Sequence, residues 1–140
     1  MNKNEASLLD GIAPDMAELQ RAIELQQRAA RVGFDWASPG PVLEKLQEET
    51  SELLEAMATG NPGDIEDELG DLLFVVSNLA RQLQVNPARA LRRANAKFER
   101  RFRALEQAAG SRQRLDVMSL EEMEELWQQV KKLELTQLDS

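Results

Sequence analysis

Apolar residues recur at spacings of three and four along most of this chain, and no stretch alternates cleanly with a period of two. That pattern predicts helices and no sheet. Five helices account for it. The first spans residues 14–31, with Pro14 suited to an early helical position and Gly33 just past the end. Gly33, Ser38, Pro39 and Gly40 then break the pattern. The second helix, over residues 41–58, carries Leu43, Leu46, Leu53, Leu54 and Met57 on one face, and Thr59-Gly60-Asn61-Pro62-Gly63 supplies a compact turn. The third, over 64–83, repeats the stripe through Ile65, Leu69, Leu72, Leu73, Val76, Leu79 and Leu83. Joined by so short a turn, the two form an antiparallel αα-hairpin.

Asn86-Pro87 reads as the cap and first position of a fourth helix that ends near Gly110 and whose core face is Leu91, Phe98, Phe102 and Leu105. Residues 111–117 read as a surface loop. Ser119 with Glu122 has the form of a capping box before a last short helix bearing Trp127 and Val130. The first dozen residues and the last five are expected to fray. There is no internal repeat and no low-complexity linker. The expected fold is all-α: an antiparallel helical bundle of four to five helices. One domain is expected over residues 1–140, its core at about 14–109 and its C-terminal helix at about 119–134, since 140 residues suit a single core.

Charge narrows the partners. Against 17 Lys+Arg stand 25 Asp+Glu, a formal net charge of −8, which argues against nucleic acid or an anionic membrane as the main partner and favours cations. The chain contains no Cys and no His. Thiol nucleophiles, Ser-His-Asp triads, and zinc or iron–sulfur sites built on those residues are thereby excluded, so any hydrolysis must use carboxylates, lysine or a bound metal. The N-terminal ten residues lack a basic n-region and an apolar h-region, and no apolar run reaches the roughly 18 residues of a membrane span. The cytoplasm is the expected location.

The acids fall in a pattern on the hairpin. Glu48, Glu49 and Glu52 form E-E-x-x-E on its first helix, and Glu68 with Asp71 forms E-x-x-D on its second. At about 100° per residue, Glu49 and Glu52 share one flank of the apolar stripe, as do Glu68 and Asp71 on theirs. Glu52 and Asp71 are nearly equidistant from the turn, so four carboxylates can converge. Like charges gathered at a core edge repel, and a hard divalent cation relieves the conflict. Oxygen-only ligation favours Mg2+ or Mn2+. Each half taken alone also fits an ordinary solvated helix face.

On the fourth helix Lys97 and Arg101 form an i, i+4 cationic pair, and Lys45 projects from one turn before Glu49. Cations beside a carboxylate-bound metal suit a polyphosphate. The surrounding Arg92, Arg93, Arg100 and Arg103 leave simple ion pairing as the plainer explanation. Phe34, Trp36 and Trp127 suit either a stacked base or a core. A Walker A loop and a GxGxxG turn are both missing.

Taken as a set, Glu48-Glu49-x-x-Glu52, Glu68-Leu69-Gly70-Asp71 and Asn95-x-Lys97-Phe98-x-x-Arg101 resemble the MazG family of nucleoside triphosphate pyrophosphohydrolases. The similarity extends from about Leu8 through Val-Gly-Phe-Asp-Trp at 32–36, Gly-Asp-Leu-Leu-Phe at 70–74, Asn-Leu-Ala-Arg at 78–81 and Trp-Gln-Gln-Val-Lys at 127–131, covering most of the chain. The resemblance implies an all-α homodimer, or a higher oligomer, that cleaves nucleoside triphosphates between the α and β phosphates with Mg2+, broadly across bases. It implies Glu49, Glu52, Glu68 and Asp71 as metal ligands and Lys45, Lys97 and Arg101 as phosphate contacts. Glu48 and Asp67 would line the site, and Trp127 would lie near the nucleotide. Longer MazG proteins carry two such domains, and this chain resembles the second, catalytic one. At Asp64, where some relatives are expected to carry a phosphate-binding lysine, it has an acid.

The expected mechanism is attack on the α-phosphorus by a metal-activated water, with Glu48 as first choice to take the proton and Lys97 and Arg101 offsetting charge on pyrophosphate. Two readings stand beside it: a narrower dUTP or dCTP pyrophosphatase, and a non-catalytic acidic helical module that binds a partner or dimerises.

Overall fold

The structure is a computed structural model that describes residues 6–138. Among these, the chain forms six α-helices: α1 (Glu18–Ala30), α2 (Pro39–Thr59), α3 (Pro62–Gln82), α4 (Pro87–Ala109), α5 (Arg112–Val117) and α6 (Leu120–Leu138). No described residue is in a strand, so the fold is all-α as the spacing predicts. No helix in the described residues is long and apolar enough to cross a membrane. The chain divides into two compact units at Ala90/Leu91, within the first turn of α4.

In the first unit α3 packs against both α2 and α1. The hairpin turn is fixed by local chemistry. α2 stops at Gly60, whose φ of 73° is left-handed and whose N–H reaches Ala56 O at 3.2 Å. Asn61 then caps α3, its Oδ1 accepting from the N–H groups of Gly63 (2.9 Å) and Asp64 (3.2 Å), with Pro62 at the first position. Asp64 lies in that first turn, where an acid complements the positive end of the helix dipole.

α1 begins at Glu18 rather than near Pro14. Arg21 Nη2 donates to Ala13 O at 2.6 Å and holds the preceding turn instead. The expected fraying of the start is corrected in part: Arg28 Nη1 donates to Leu8 O (2.9 Å) and Asp10 O (2.8 Å), tying these residues to α1. Residues 1–5 and 139–140 lie outside the described residues. At the other end α6 continues to Leu138, four residues past its expected stop.

The second unit is built on Leu105, Ala109, Leu115 and Val130, with Ala104, Met118, Met123, Leu126 and Trp127 packed around them. Residues 112–117, expected as loop, form α5. Ser111 Oγ accepts from Arg114 N–H at 3.3 Å, and the single buried residue, Leu115, docks in the core. One anchor in six residues is too short a signal for a helical period to register. Ser119 caps α6 as predicted, accepting from Glu122 N–H at 3.1 Å. Its own hydroxyl donates to Glu122 Oε1 at 3.2 Å.

The expected core faces are only partly buried. Leu43, Leu54, Met57, Leu69, Leu73, Val76, Leu83, Leu91, Phe98 and Phe102 are all exposed in the single chain. Among the described residues of the first unit, the buried apolar ones are instead Val42, Ala56 and Val75. Periodicity marks which face of a helix is apolar, but the area that a neighbour covers depends on how many helices surround it.

Candidate functional site

α2 buries Val42, Glu49 and Ala56, residues seven apart that stack along one seam. The facing stripe on α3 holds Glu68, Asp71, Val75 and Asn78, of which Val75 and Asn78 are buried. The sequence puts the acids on the flank of the apolar stripe. The structure puts Glu49 in the seam itself, only 5% exposed. Carboxylate oxygens of Glu49, Glu68 and Asp71 lie within 4.8 Å of one another. Lys45 Nζ stands 3.3 Å from Glu49 Oε1 and 3.3 Å from Glu48 Oε2, bridging the two. Glu49 Oε2 and Glu68 Oε2 are buried and have no hydrogen-bond partner.

Burying a carboxylate oxygen without a partner is costly. The conflict spreads to Glu52, whose carboxyl is pushed above its ordinary range by the Glu49 charge first, then by a hydrogen bond to Glu49, burial, and the charges of Glu68 and Glu48. Three of the four expected ligands therefore converge, and the fourth abuts them. Asp67 is exposed, one residue before Glu68 and outside the triad. The donor set is hard oxygen only, and the two orphaned oxygens offer it lone pairs, which fits a divalent ion of the Mg2+ or Mn2+ type.

Elsewhere in the first unit, Asp35 accepts from Arg81 Nη1 at 3.0 Å, from Arg81 Nη2, and from Gln82 Nε2 at 3.1 Å. Gln82 Nε2 also donates to Trp36 O at 2.7 Å. This pairing fastens the α1–α2 loop to the end of α3, bringing the Phe-Asp-Trp and Asn-Leu-Ala-Arg motifs together. Arg81 holds the Asp35 carboxyl below its usual range.

In the second unit, Lys97 is exposed on α4. Arg101 Nε donates to Glu134 Oε2 on α6 at 2.6 Å, and Arg100 Nε donates to Glu134 Oε1 at 2.8 Å. Trp127 is half-buried against Phe98, ring centroids 5.5 Å apart. Glu134 is a residue that the sequence reading missed. Its signal was its place seven residues after Trp127, on the same stripe of α6.

Residues 38–105 match the MazG nucleotide pyrophosphohydrolase domain. Over 136 residues the chain is 46% identical to a nucleoside triphosphate pyrophosphohydrolase of Escherichia coli K12, covering 95% of this chain and 52% of that protein. It is 39% identical over 130 residues to the nucleoside triphosphate pyrophosphohydrolase/pyrophosphatase MazG of Thermotoga maritima, covering 92% and 50% respectively. The chain thus spans about half the length of these relatives.

Proposed function

This chain belongs to the MazG family, and on that premise we propose that it hydrolyses nucleoside triphosphates to nucleoside monophosphates and pyrophosphate. The observation that carries the reading is the meeting of Glu49, Glu68 and Asp71 within 4.8 Å, two of their oxygens buried without a partner. We assign Glu49, Glu52, Glu68 and Asp71 to Mg2+, with Mn2+ able to substitute. Bound there, the ion supplies positive charge and Lewis acidity to the α-phosphate and its attacking water.

Lys45 balances Glu48 and Glu49 at 3.3 Å each, and its Nζ turns to a phosphate when the acids are neutralised. Glu48, exposed beside Glu49 and paired with Lys45, accepts the proton of the nucleophile. Lys97 and Arg101 hold phosphates, Asp67 lines the site and Trp127 contacts the nucleotide, roles that rest on the family resemblance. Asp64 stands where a lysine is expected in some relatives. Its negative charge leaves phosphate binding more dependent on the metal and on Lys45.

The exposed α3 stripe of Leu69, Leu73, Val76 and Leu83 is apolar enough to need a cover, and we assign it to a second copy of the chain. Light scattering is expected to give twice the chain mass, and a monomer at micromolar concentration refutes that assignment.

The deciding experiment is product analysis with Mg2+ across a panel of NTPs and dNTPs. Monophosphate plus pyrophosphate from every base is the expected result. Orthophosphate plus diphosphate overturns the reaction. Turnover confined to dUTP or dCTP replaces breadth with the narrower enzyme, and no cleavage at all supports a non-catalytic module.

A further inference from the structure

A single carboxylate on α6 engages two consecutive arginines of α4. Glu134 Oε2 takes the Arg101 Nε–H at 2.6 Å, while Oε1 takes the Arg100 Nε–H at 2.8 Å. The two arginines differ in setting: the Arg100 side chain is 61% exposed and that of Arg101 only 23%. Arg101 shares one stripe of α4 with Lys97, Ala104 and Ala108. A cavity of about 430 Å³ opens along that stripe, lined in part by Arg101, Ala104, Ala108 and Glu134.

A guanidinium is planar, with a rigid fork of donors. Held through Nε on one edge, it keeps its Nη1–Nη2 end for a second anion. Without that hold, a long side chain samples many rotamers and loses them again on binding, which weakens affinity. Glu134 stays ionised for this task, because Arg101 first and Arg100 second hold its carboxyl below the usual range. The trio keeps a net positive charge.

We infer that Glu134 is a positioning residue that holds the Arg101 guanidinium by Nε so that its free end grips the triphosphate. The inference rests on Arg101 being a phosphate contact, as proposed above. It departs from a simple charge argument. Deleting a carboxylate beside an anion site by itself strengthens anion binding, whereas loss of a positioning residue weakens it.

The test is steady-state kinetics of the full chain with Mg2+ and an NTP. Glu134→Ala is expected to raise KM about tenfold with kcat nearly unchanged. Glu134→Gln, whose amide oxygen still accepts from Nε, is expected to restore KM to within about threefold of wild type. Glu134→Asp keeps the charge but retracts the carboxylate by one methylene, and is expected to raise KM about fivefold. It decides the matter if Glu134→Ala fails to fold. In the Arg101→Ala background, adding Glu134→Ala changes KM little, since the residue acts through Arg101. An unchanged or lowered KM in Glu134→Ala or Glu134→Asp overturns the inference, as does full additivity with Arg101→Ala. A wild-type chain that releases pyrophosphate while these variants keep its KM overturns this inference alone. A wild-type chain that cleaves no NTP overturns the proposed function and this inference with it.

Discussion

Glu68→Gln is expected to lower pyrophosphate release from an NTP by on the order of 10³-fold while leaving the helical circular dichroism spectrum unchanged. The substitution preserves shape and volume, so the α2–α3 seam keeps its packing. It replaces an anionic oxygen with a neutral amide at a point within 4.8 Å of Glu49 and Asp71 oxygens. Glu68 Oε2 is buried and unpartnered, so its charge is not spent on another protein group and its loss falls on the cation and on the substrate charge that the cation neutralises. The size of the effect follows from where it acts, since charge stabilisation at an oxygen shielded from solvent is worth far more than on a surface. Glu66→Gln, on the exposed side of the same helix, is the control and should stay within about twofold of wild type. Turnover by Glu68→Gln at the wild-type rate refutes the metal assignment.

Removing the divalent ion is expected to abolish turnover and to lower thermal stability with a recognisable pH signature. A ligand at 100 times its dissociation constant stabilises the folded state by about 2.7 kcal/mol, a melting shift of about 9 °C for a chain of this size. In the metal-free chain the Glu52 carboxyl lies above its ordinary value of 4.5, pushed there by Glu49 first. A group raised in the folded state binds its proton more readily there than in the unfolded chain. Its contribution is complete below the ordinary carboxylate value and is lost as pH rises through the raised one. Metal binding has the opposite slope, because its ligands must be deprotonated.

The stabilisation by Mg2+ should therefore be larger at pH 7 than at pH 5. Glu52→Gln should remove part of the metal-free slope. Asp35 and Glu134 do not confound this window: both lie below the ordinary range, held by Arg81 and by Arg101 with Arg100, so their contributions are lost only at more acid pH. Melting curves at the two pH values with Mg2+ or with EDTA provide the check. A melting temperature indifferent to Mg2+ at both refutes the site.

The hairpin was legible before any coordinates because its signals are local. Thr59-Gly60-Asn61-Pro62-Gly63 reads as a compact turn, and the structure adds that Asn61 caps α3 and that Pro62, expected in the turn, is its first residue, each acting on the backbone within four positions of itself. The same locality made Ser119 readable and left α5 unread, since its one buried side chain, Leu115, has meaning only against Leu105, Ala109 and Val130. The acids were legible as a set because i, i+3 spacing fixes which of them share a face.

What lay beyond the sequence was every property that depends on a neighbour distant along the chain. Spacing placed Glu49 on a flank, and packing moved it into the seam between α2 and α3, where burial and an unpartnered oxygen give it its chemistry. Spacing singled out Arg101 but not Glu134, 33 residues away, which holds it. The sequence by itself determined the five longer helices, the caps at Asn86 and Ser119 and the inventory of oxygen donors, because these follow from torsions and hydrogen bonds within a turn. The tertiary structure alone decided which carboxylates meet, which lose water and which arginine is held, because desolvation and charge act through space and not along the chain.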